Sequence, residues 1–376
     1  MAGIYFHIPF CRQACHYCNF HFSTSLAQKD ALQAALLDEV RNRAPLLDGE
    51  SVETIYFGGG TPSLLERTEL GLLLQSVSDH CDVSTDAEVT LEANPDDLTK
   101  ERATTLRHLG VNRLSLGIQS FHNADLQYMN RVHNSAQAKD ALVIASEMFD
   151  NVSMDLIFGT PTMTHESWRK NLLLAIESGV QHISAYALTV EEKTALAHFI
   201  KTGKQKGPEE TATAEQFEIA MELLSEAGYE HYEISNYARP GFQSRHNNAY
   251  WNGTRYIGFG PSAHSFDGQT RSWNVSSNAR YIAMMKAGDA TEDRETLTSS
   301  QRANEFIMTQ LRTIRGCDIV RLRQLVSESQ LDSTLKEVEA LRADGLLDSR
   351  NGTIFLTTKG KLLADGVIGR LFVVNE

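Results

Sequence analysis

Short hydrophobic stretches alternate with amphipathic segments over the first 235 residues of the chain. The hydrophobic stretches are rich in Ile, Val, Tyr and Phe, which is typical of buried strands, and the amphipathic segments have helical periodicity. The predicted strands are Gly3–Ile8, Val52–Phe57, Glu88–Glu92, Arg113–Gly117, Val152–Ile157 and His182–Leu188. The predicted helices lie near Leu26–Arg43, Glu66–His80, Thr99–Leu109, Ala136–Phe149 and His165–Ser178. Gly110 and Gly179 follow two of these helices, where glycine commonly ends a helix.

This alternation predicts repeated βαβ units, and therefore an α/β fold built on a parallel sheet. Six units are too few for the usual closed barrel of eight strands. An incomplete, laterally open (βα)6 barrel fits the pattern better than a doubly wound sheet, although periodicity alone leaves both open.

Polar motifs follow the predicted strands in order. The cysteine-rich loop 11–18 comes after the first strand, and a Gly-Gly-Gly-Thr-Pro run at 58–62 comes after the second. Glu92 closes the third strand, Gln119 follows the fourth, and Asp155 lies in the second half of the fifth. Because parallel α/β proteins place their sites at the carboxyl ends of the strands, we expect these residues to form one site.

The polar segment 286–300 is interpreted as a linker between two domains, 1–285 and 301–376. Helical spacing followed by a strand at 352–357 predicts that the second domain is small and winged-helix-like. Residues 295–376 carry 11 Lys or Arg against 11 Asp or Glu. No basic footprint for nucleic acid is therefore expected there.

Composition narrows the functional classes further. The net charge of −13 over 376 residues argues against broad electrostatic binding to nucleic acid or anionic lipid. No apolar run approaches the roughly 18–20 residues that a membrane span needs. The amino terminus has neither a basic region nor a cleavage site typical of a signal peptide, so a cytoplasmic protein is expected.

Three of the five cysteines lie within eight residues, in a C-x3-C-x2-C pattern formed by Cys11, Cys15 and Cys18. Cys81 and Cys317 stand alone and are interpreted as small buried hydrophobic residues. Thiolates are the usual protein ligands of a cubane iron–sulfur cluster, and three of them leave one iron without a protein ligand. The amino and carboxylate groups of S-adenosylmethionine suit that vacant position.

A zinc site completed by His7, His16 or His21 is the alternative for this loop. Zinc sites usually combine a C-x2-C pair with a distant second pair, and the sequence contains no such second pair. The spacing therefore favours the [4Fe–4S] cluster.

The same loop resembles the hallmark of the radical S-adenosylmethionine (radical SAM) superfamily. Further motifs resemble the branch of that superfamily that contains oxygen-independent coproporphyrinogen III oxidases and HemW-like heme chaperones. These motifs are YFHIPFC at 5–11, GGGTPS at 58–63, LEANP at 91–95, LGIQSF at 116–121, NR at 130–131 and MDLIFG at 154–159. The resemblance extends over essentially the whole chain and implies a radical SAM barrel.

The resemblance also implies binding residues for S-adenosylmethionine. Some border its pocket or bind its methionyl part, and others are ligands of S-adenosylmethionine or of a second nucleotide. The implied residues are Tyr5, Tyr17, Gly59, Gly60, Thr61, Glu92, Gln119, Arg131 and Asp155. A tight turn is the structural alternative for the glycines, and a salt bridge or hydrogen bond is the alternative for the polar side chains.

Two features separate the oxidases from the chaperones. Oxidases typically carry a fourth cysteine where this chain has Phe20, and they tend to have an extension before the first strand, which here begins by residue 3. Both departures put decarboxylation of coproporphyrinogen III in doubt. The segment 246–251 matches the H-N-x-x-Y-W motif that is associated with heme binding in HemW-like proteins.

The resemblance implies a heme site in an extension at about 236–285, formed by His246, Tyr250 and Trp251. Imidazole is a common iron ligand of heme, and the two aromatic rings offer flat apolar surface. A histidine packed in the core is the structural alternative, and His7, His16, His21 and His264 are rival ligands. The implied partners are heme and heme-requiring apo-proteins of the respiratory chain. A homodimer and peripheral contact with a membrane are left open.

Overall fold

This computed structural model describes residues 1–374, and a twelve-stranded sheet runs through residues 2–296. Its strands are β1 (Ala2–Ile8), β2 (Val52–Gly59), β3 (Val83–Ala93), β4 (Arg113–Gln119), β5 (Val152–Phe158), β6 (His182–Ala187), β7 (Glu230–Glu233), β8 (Asn236–Ala238), β9 (Arg255–Phe259), β10 (His264–Phe266), β11 (Thr270–Asn274) and β12 (Glu292–Thr296). A second sheet contains β13 (Cys317–Asp318), β14 (Leu347–Arg350) and β15 (Thr353–Leu356).

Helices connect and cover these strands. They are α1 (Lys29–Arg43), α2 (Arg67–His80), α3 (Lys100–His108), α4 (Asn123–Tyr128), α5 (Ser135–Met148), α6 (His165–Glu177), α7 (Ala195–Lys201), α8 (Glu210–Glu226), α9 (Arg245–Trp251), α10 (Asn278–Ala287), α11 (Ser299–Leu311), α12 (Ile319–Arg323), α13 (Glu328–Ala343), α14 (Thr358–Leu362) and α15 (Ala364–Arg370). Short 3₁₀ helices lie at Ala44–Leu47, Pro62–Leu64 and Pro95–Asp97.

The strands β1 to β6 are parallel neighbours in chain order, as the alternation predicted. The five predicted helices are present as α1, α2, α3, α5 and α6. The side chains of Thr99, Asn134 and Thr164 cap the amino ends of α3, α5 and α6. Gly110 and Gly179 adopt positive φ angles of 96° and 72° just beyond α3 and α6.

The sheet does not close into a full barrel within the described residues. The hairpin of β7 and β8 extends it beyond β6, and β9 pairs parallel to β1 on the other side. The strands β10, β11 and β12 then continue antiparallel from β9. The prediction of an incomplete, laterally open barrel is confirmed.

Residues 286–300 differ from the irregular linker that their polarity suggested. The strand β12 lies inside this segment and pairs with β11 at the edge of the sheet. Four of its five side chains are exposed, so its polar composition reflects a solvated edge strand.

The six parallel strands are apolar on one face and polar on the other. Ile4, Phe6 and Ile8 of β1 point into the core beneath the helices, whereas Tyr5 and His7 alternate with them and line the interior. The other parallel strands repeat this pattern, so the barrel interior is buried and polar. This arrangement places functional side chains on the rigid strands themselves.

The C-terminal helices form a separate hydrophobic core with the three-stranded sheet of β13, β14 and β15. The hairpin of β7 and β8 connects this C-terminal unit to the barrel. Ile234 N donates to the carbonyl of Arg312 at 3.1 Å, and Ile314 N donates to the carbonyl of Tyr232 at 2.9 Å. No helix among residues 1–374 is both long and apolar enough to span a bilayer.

Candidate functional site

One cavity of about 540 Å³ at the carboxyl ends of the parallel strands, called here the barrel cavity, gathers the predicted cluster and nucleotide ligands. Of the twelve residues predicted for these two ligands, all but Tyr5 line it. They are Cys11, Cys15, Cys18, Tyr17, Gly59, Gly60, Thr61, Glu92, Gln119, Arg131 and Asp155. The expectation that the polar motifs share one edge of the sheet is met because the parallel strands end together.

The cysteine loop leaves β1 and folds back on itself. Cys11 N donates to the carbonyl of Ser23 at 3.0 Å, and Cys18 N donates to the carbonyl of Cys15 at 3.3 Å. The guanidinium of Arg131 lies 3.4 Å from the Cys15 sulfur. Burial raises the pKa of the Cys11 thiol and raises that of Cys18 to about 11.

The glycine run brings β2 against the start of this loop. Gly60 N donates to the carbonyl of Ile8 at 3.0 Å, and Thr61 N donates to the carbonyl of Phe10 at 2.7 Å. A Cβ atom on Gly60 would lie 2.6 to 2.8 Å from backbone atoms of Ile8 and Phe10. The glycine is therefore required by the close approach of the chain's own backbone, in addition to its place in the cavity wall.

Two half-buried carboxylates face the barrel interior. Glu92 Oε1 accepts a hydrogen bond from the Tyr56 hydroxyl at 2.8 Å, and burial raises the pKa of Glu92 to about 7 despite that bond. Burial also raises the pKa of Asp155. A hydrogen bond from the Ser184 hydroxyl and the positive charge of Arg113 lower this pKa in part. Such carboxylates are suited to bind hydroxyl or ammonium groups of a ligand.

Arg113 is a lining residue that sequence reasoning missed. Only 2% of this arginine is exposed, it has no ion pair within the described residues, and its Nε has no hydrogen-bond partner there. His182 is another lining residue that sequence reasoning missed. Its own burial, and to a smaller extent the charge of Arg113, hold the pKa of His182 well below its ordinary value. The available signal was the alternation of polar and apolar residues along β4.

The side chains of the barrel cavity fit the two groups that the resemblance implies. Three thiols lie in one wall, and three carboxylates, including that of Glu191, and two guanidinium groups lie in the same cavity. S-adenosylmethionine carries a sulfonium, an ammonium and a carboxylate, so both signs of charge have partners, and Nε of the buried Arg113 has no hydrogen-bond partner among the described residues. Among residues 1–374 no three His, Cys, Asp or Glu side chains converge as ligands of a single metal ion.

A second cavity, of about 730 Å³, lies between the barrel and the C-terminal unit and is called here the interdomain cavity. Tyr5, the remaining predicted residue, lines this one. Asn19 and Phe20 line both cavities and thus stand between them. The aromatic residues of the interdomain cavity are Tyr5, Phe20, Tyr250, Trp251, Tyr256, Phe266 and Phe306.

His246 is placed behind the wall of the interdomain cavity. It is 2% exposed, and its ring stacks on that of Tyr56 with centroids 4.9 Å apart. Its Nδ1 is 2.8 Å from the Thr54 hydroxyl, and its Nε2 is 2.9 Å from the hydroxyl of Tyr250. Burial, with the charge of Arg113, lowers the pKa of His246 to about 3. The imidazole is therefore neutral and already bonded at both nitrogens.

An open barrel with three cysteines at its mouth defines a class of protein, and comparisons with known proteins agree. A model of the Radical SAM superfamily matches residues 5–175, and one of the HemN C-terminal domain matches residues 297–363. A solved structure of coproporphyrinogen III oxidase (HemN) from Escherichia coli has a TM-score of 0.84 at 25% identity, covering 99% of this chain and 90% of that one.

Full-length relatives narrow this class. Heme chaperone HemW of Mycobacterium tuberculosis (strain CDC 1551 / Oshkosh) is 38% identical over 375 residues, which cover 98% of this chain and 94% of that protein. HemW of Bacillus subtilis (strain 168) is 34% identical over 374 residues, which cover 98% of both. The chain belongs to the HemW family of the radical SAM superfamily.

Proposed function

We propose that this protein is a heme chaperone that carries a [4Fe–4S] cluster, binds S-adenosylmethionine and delivers heme to apo-proteins of the respiratory chain. The observation that carries the proposal is the interdomain cavity, which is lined by aromatic rings and directly adjoins the cysteine-lined barrel cavity. Its volume of about 730 Å³ lies within the range of roughly 300–1,000 Å³ that is typical of cofactor sites. The names of the full-length relatives support the same function.

In this proposal Cys11, Cys15 and Cys18 hold the cluster, whose fourth iron supplies a binding position for the amino and carboxylate groups of S-adenosylmethionine. Arg131, beside the Cys15 sulfur, stabilises the negative charge of the thiolate ligands. The remaining predicted residues of the barrel cavity bind the nucleotide. Glu92 is suited to its hydroxyl or ammonium groups because its half-buried carboxylate lines the cavity, where it accepts hydrogen bonds from the Tyr56 hydroxyl and the Gly59 backbone.

The heme site of the proposal includes His246, Tyr250 and Trp251. Tyr250 and Trp251 line the interdomain cavity and offer apolar faces to a porphyrin. His246 holds the Tyr250 hydroxyl from the buried side. For His246 to serve as the iron ligand, its Nε2 would have to exchange the Tyr250 hydroxyl for the metal.

Oxygen-independent decarboxylation of coproporphyrinogen III is the second candidate, and the fold shared with HemN is the observation that favours it. The residue at position 20, Phe20, favours the chaperone over the oxidase. Its side chain is 66% exposed at the boundary of the two cavities, at the position where oxidases typically have a fourth cysteine.

The cluster is tested by anaerobic reconstitution of the full chain with iron and sulfide. We expect wild type to bind about four iron atoms and to show broad absorption in the visible blue, and Cys15→Ala to lose most of both, since one of three ligands is removed. Cys81→Ala is the matched control because Cys81 lies outside the barrel cavity, and it should load normally. Tightly held zinc in place of iron would contradict the proposal.

The function is tested with hemin and with coproporphyrinogen III. The reconstituted protein should give a Soret band with hemin and should pass the hemin to a heme-requiring respiratory apo-protein. Anaerobic incubation with coproporphyrinogen III, S-adenosylmethionine and a reductant should give no protoporphyrinogen, and its accumulation would establish the oxidase instead. Size-exclusion chromatography before and after reconstitution measures whether the protein forms the homodimer that the sequence left open.

A further inference from the structure

Three histidines line the interdomain cavity, and two of them are held by hydrogen bonds. His7 Nε2 is 2.8 Å from the carbonyl oxygen of His21, and His7 Nδ1 is 3.2 Å from the hydroxyl of Tyr5. His21 Nε2 is 2.7 Å from Oδ1 of Asn278. Neither ring nitrogen of His264 has a hydrogen-bond partner among the residues that the structure describes. Within the described chain, His264 is thus the lining imidazole with both ring nitrogens free to accept a metal, whereas His21 keeps only Nδ1 free and His7 neither nitrogen.

The backbone holds His264 firmly in this position. It lies in β10, where it pairs with Trp273 of the antiparallel β11. Gly258 of β9 packs so closely against it that a Cβ atom there would lie 2.1 Å from the His264 carbonyl oxygen. Gly258 N also donates to the hydroxyl of Ser265 at 3.0 Å. The imidazole therefore projects from a paired strand, as a preorganised ligand requires.

The wall contributed by the C-terminal unit carries unpaired positive charge. Arg302 donates to the hydroxyl of Ser299 at 3.3 Å, and the guanidinium of Arg321 lies 5.1 Å from the centre of the Phe306 ring. Neither arginine forms an ion pair with a described residue, whereas Arg271 is paired with Glu305. Three arginines against one glutamate leave the lining with an excess of two positive charges. That excess matches a flat apolar molecule with two carboxylates.

We propose that the interdomain cavity binds an iron porphyrin with His264 as an iron ligand and with Arg302 and Arg321 bound to its two propionates. The inference rests on the proposed function, because it names the residues by which the chaperone holds its heme. His246 then acts as a positioning residue that fixes Tyr250 in the cavity wall. Trp251 Nε1, which is buried without a hydrogen-bond partner in the described chain, also lies beside this ligand.

The iron ligand is tested by titrating the full-length reconstituted protein with hemin. We expect His264→Ala to bind hemin at least tenfold more weakly and to lose the spectrum of the imidazole-ligated iron. Added imidazole should restore that spectrum, because the substitution leaves the cavity intact. His108→Ala, at an exposed position of α3, is the matched control and should behave as wild type.

The arginines are tested by comparing hemin with hemin dimethyl ester, in which the propionates carry no charge. The double variant Arg302→Ala, Arg321→Ala should weaken hemin binding by about tenfold or more and leave binding of the ester nearly unchanged. Equal losses for both ligands would overturn the assignment of the propionates.

The outcomes separate the inference from the proposed function. If wild type and His264→Ala bind hemin with the same affinity and spectrum, or if only His246→Gln loses the ligand spectrum, the inference is wrong and the heme chaperone stands. If wild type fails to bind hemin, the proposed function fails, and the assigned ligands fail with it.

Discussion

Gly60 lies where the glycine run of the barrel meets the start of the cysteine loop. Its missing side chain allows the backbones of Ile8 and Phe10 to approach within hydrogen-bonding distance of residues 60 and 61. A glycine is strictly required where another backbone segment comes this close, because backbone atoms cannot move aside as a flexible side chain can.

We therefore expect Gly60→Ala to lower the free energy of unfolding by about 1–3 kcal/mol, the usual cost of overpacking. Gly71→Ala is the matched control. The nearest atom to its added Cβ is a Leu109 methyl at 3.4 Å, and alanine is favoured in a helix by up to about 1 kcal/mol. Urea denaturation measures both, and similar stabilities for the two variants would contradict the packing argument.

At the scale of elements, a buried carboxylate anchors the added strands β9 to β12 to helix α1. Glu39 of α1 is fully buried and accepts hydrogen bonds from Arg43, from the backbone N–H of Gly260 and from the side chains of Asn274 and Tyr281, at 2.5 to 2.8 Å. These donors come from α1, from the turn after β9, from β11 and from α10. One side chain thus joins α1 to a segment more than 200 residues later in the chain.

Removing this acceptor should be costly because the buried Tyr281 hydroxyl would lose its acceptor, and Arg43, Gly260 and Asn274 would each lose one. We expect Glu39→Leu to destabilise the protein by about 3–5 kcal/mol. Asp38→Ala, one residue earlier, removes only an exposed pair with Arg41 and should change stability by no more than about 0.5 kcal/mol. Chemical denaturation compares them, and a Glu39→Leu variant as stable as Asp38→Ala would show that the cluster is not an anchor.

At the scale of the whole molecule, the C-terminal unit contacts the barrel through a buried histidine. Lys361 of α14 donates from Nζ to His231 Nδ1 at 3.1 Å. The proton of the neutral ring therefore lies on Nε2, and this nitrogen donates to the carbonyl of Ile234 at 2.9 Å. Burial, followed by the charge of Lys361, lowers the pKa of His231 to about 3. Protonating this ring would place two cations in contact.

Stability should therefore decrease on acidification. Below the ordinary pKa of about 6.5, the unfolded chain takes up a proton at His231 and the folded chain does not. The contribution of the neutral ring to the free energy of unfolding is therefore complete above pH 6.5 and is lost as the pH falls towards 3. The slope from this group is at most about 1.4 kcal/mol per pH unit. Unfolding between pH 4.5 and 7.5 should show a smaller slope for His231→Gln, while the control His108→Gln keeps the wild-type slope. An unchanged slope in His231→Gln would contradict this account.

The sequence predicted the parallel strands and the position of the cysteine loop at their carboxyl ends well because both depend on local signals. Strand and helix periodicity identified β1 to β6, and the spacing of Cys11, Cys15 and Cys18 lies within one loop. The strands β7 to β12 were missed, since they are short, and β12 is polar because it lies at a solvated edge. Arg113 was also missed, because its environment is formed by the strands on either side of it.

By itself, the sequence determined the order of the strands, the open α/β class and the gathering of the motifs at one edge, because the connections between parallel strands are local and directional. Only the tertiary structure decided that His246 is buried with both nitrogens bonded, that Phe20 lies between two cavities, and that His264 lines the same cavity as the arginines of the C-terminal unit. Burial and hydrogen-bond partners come from segments that are distant along the chain, so a motif names a side chain without specifying what surrounds it.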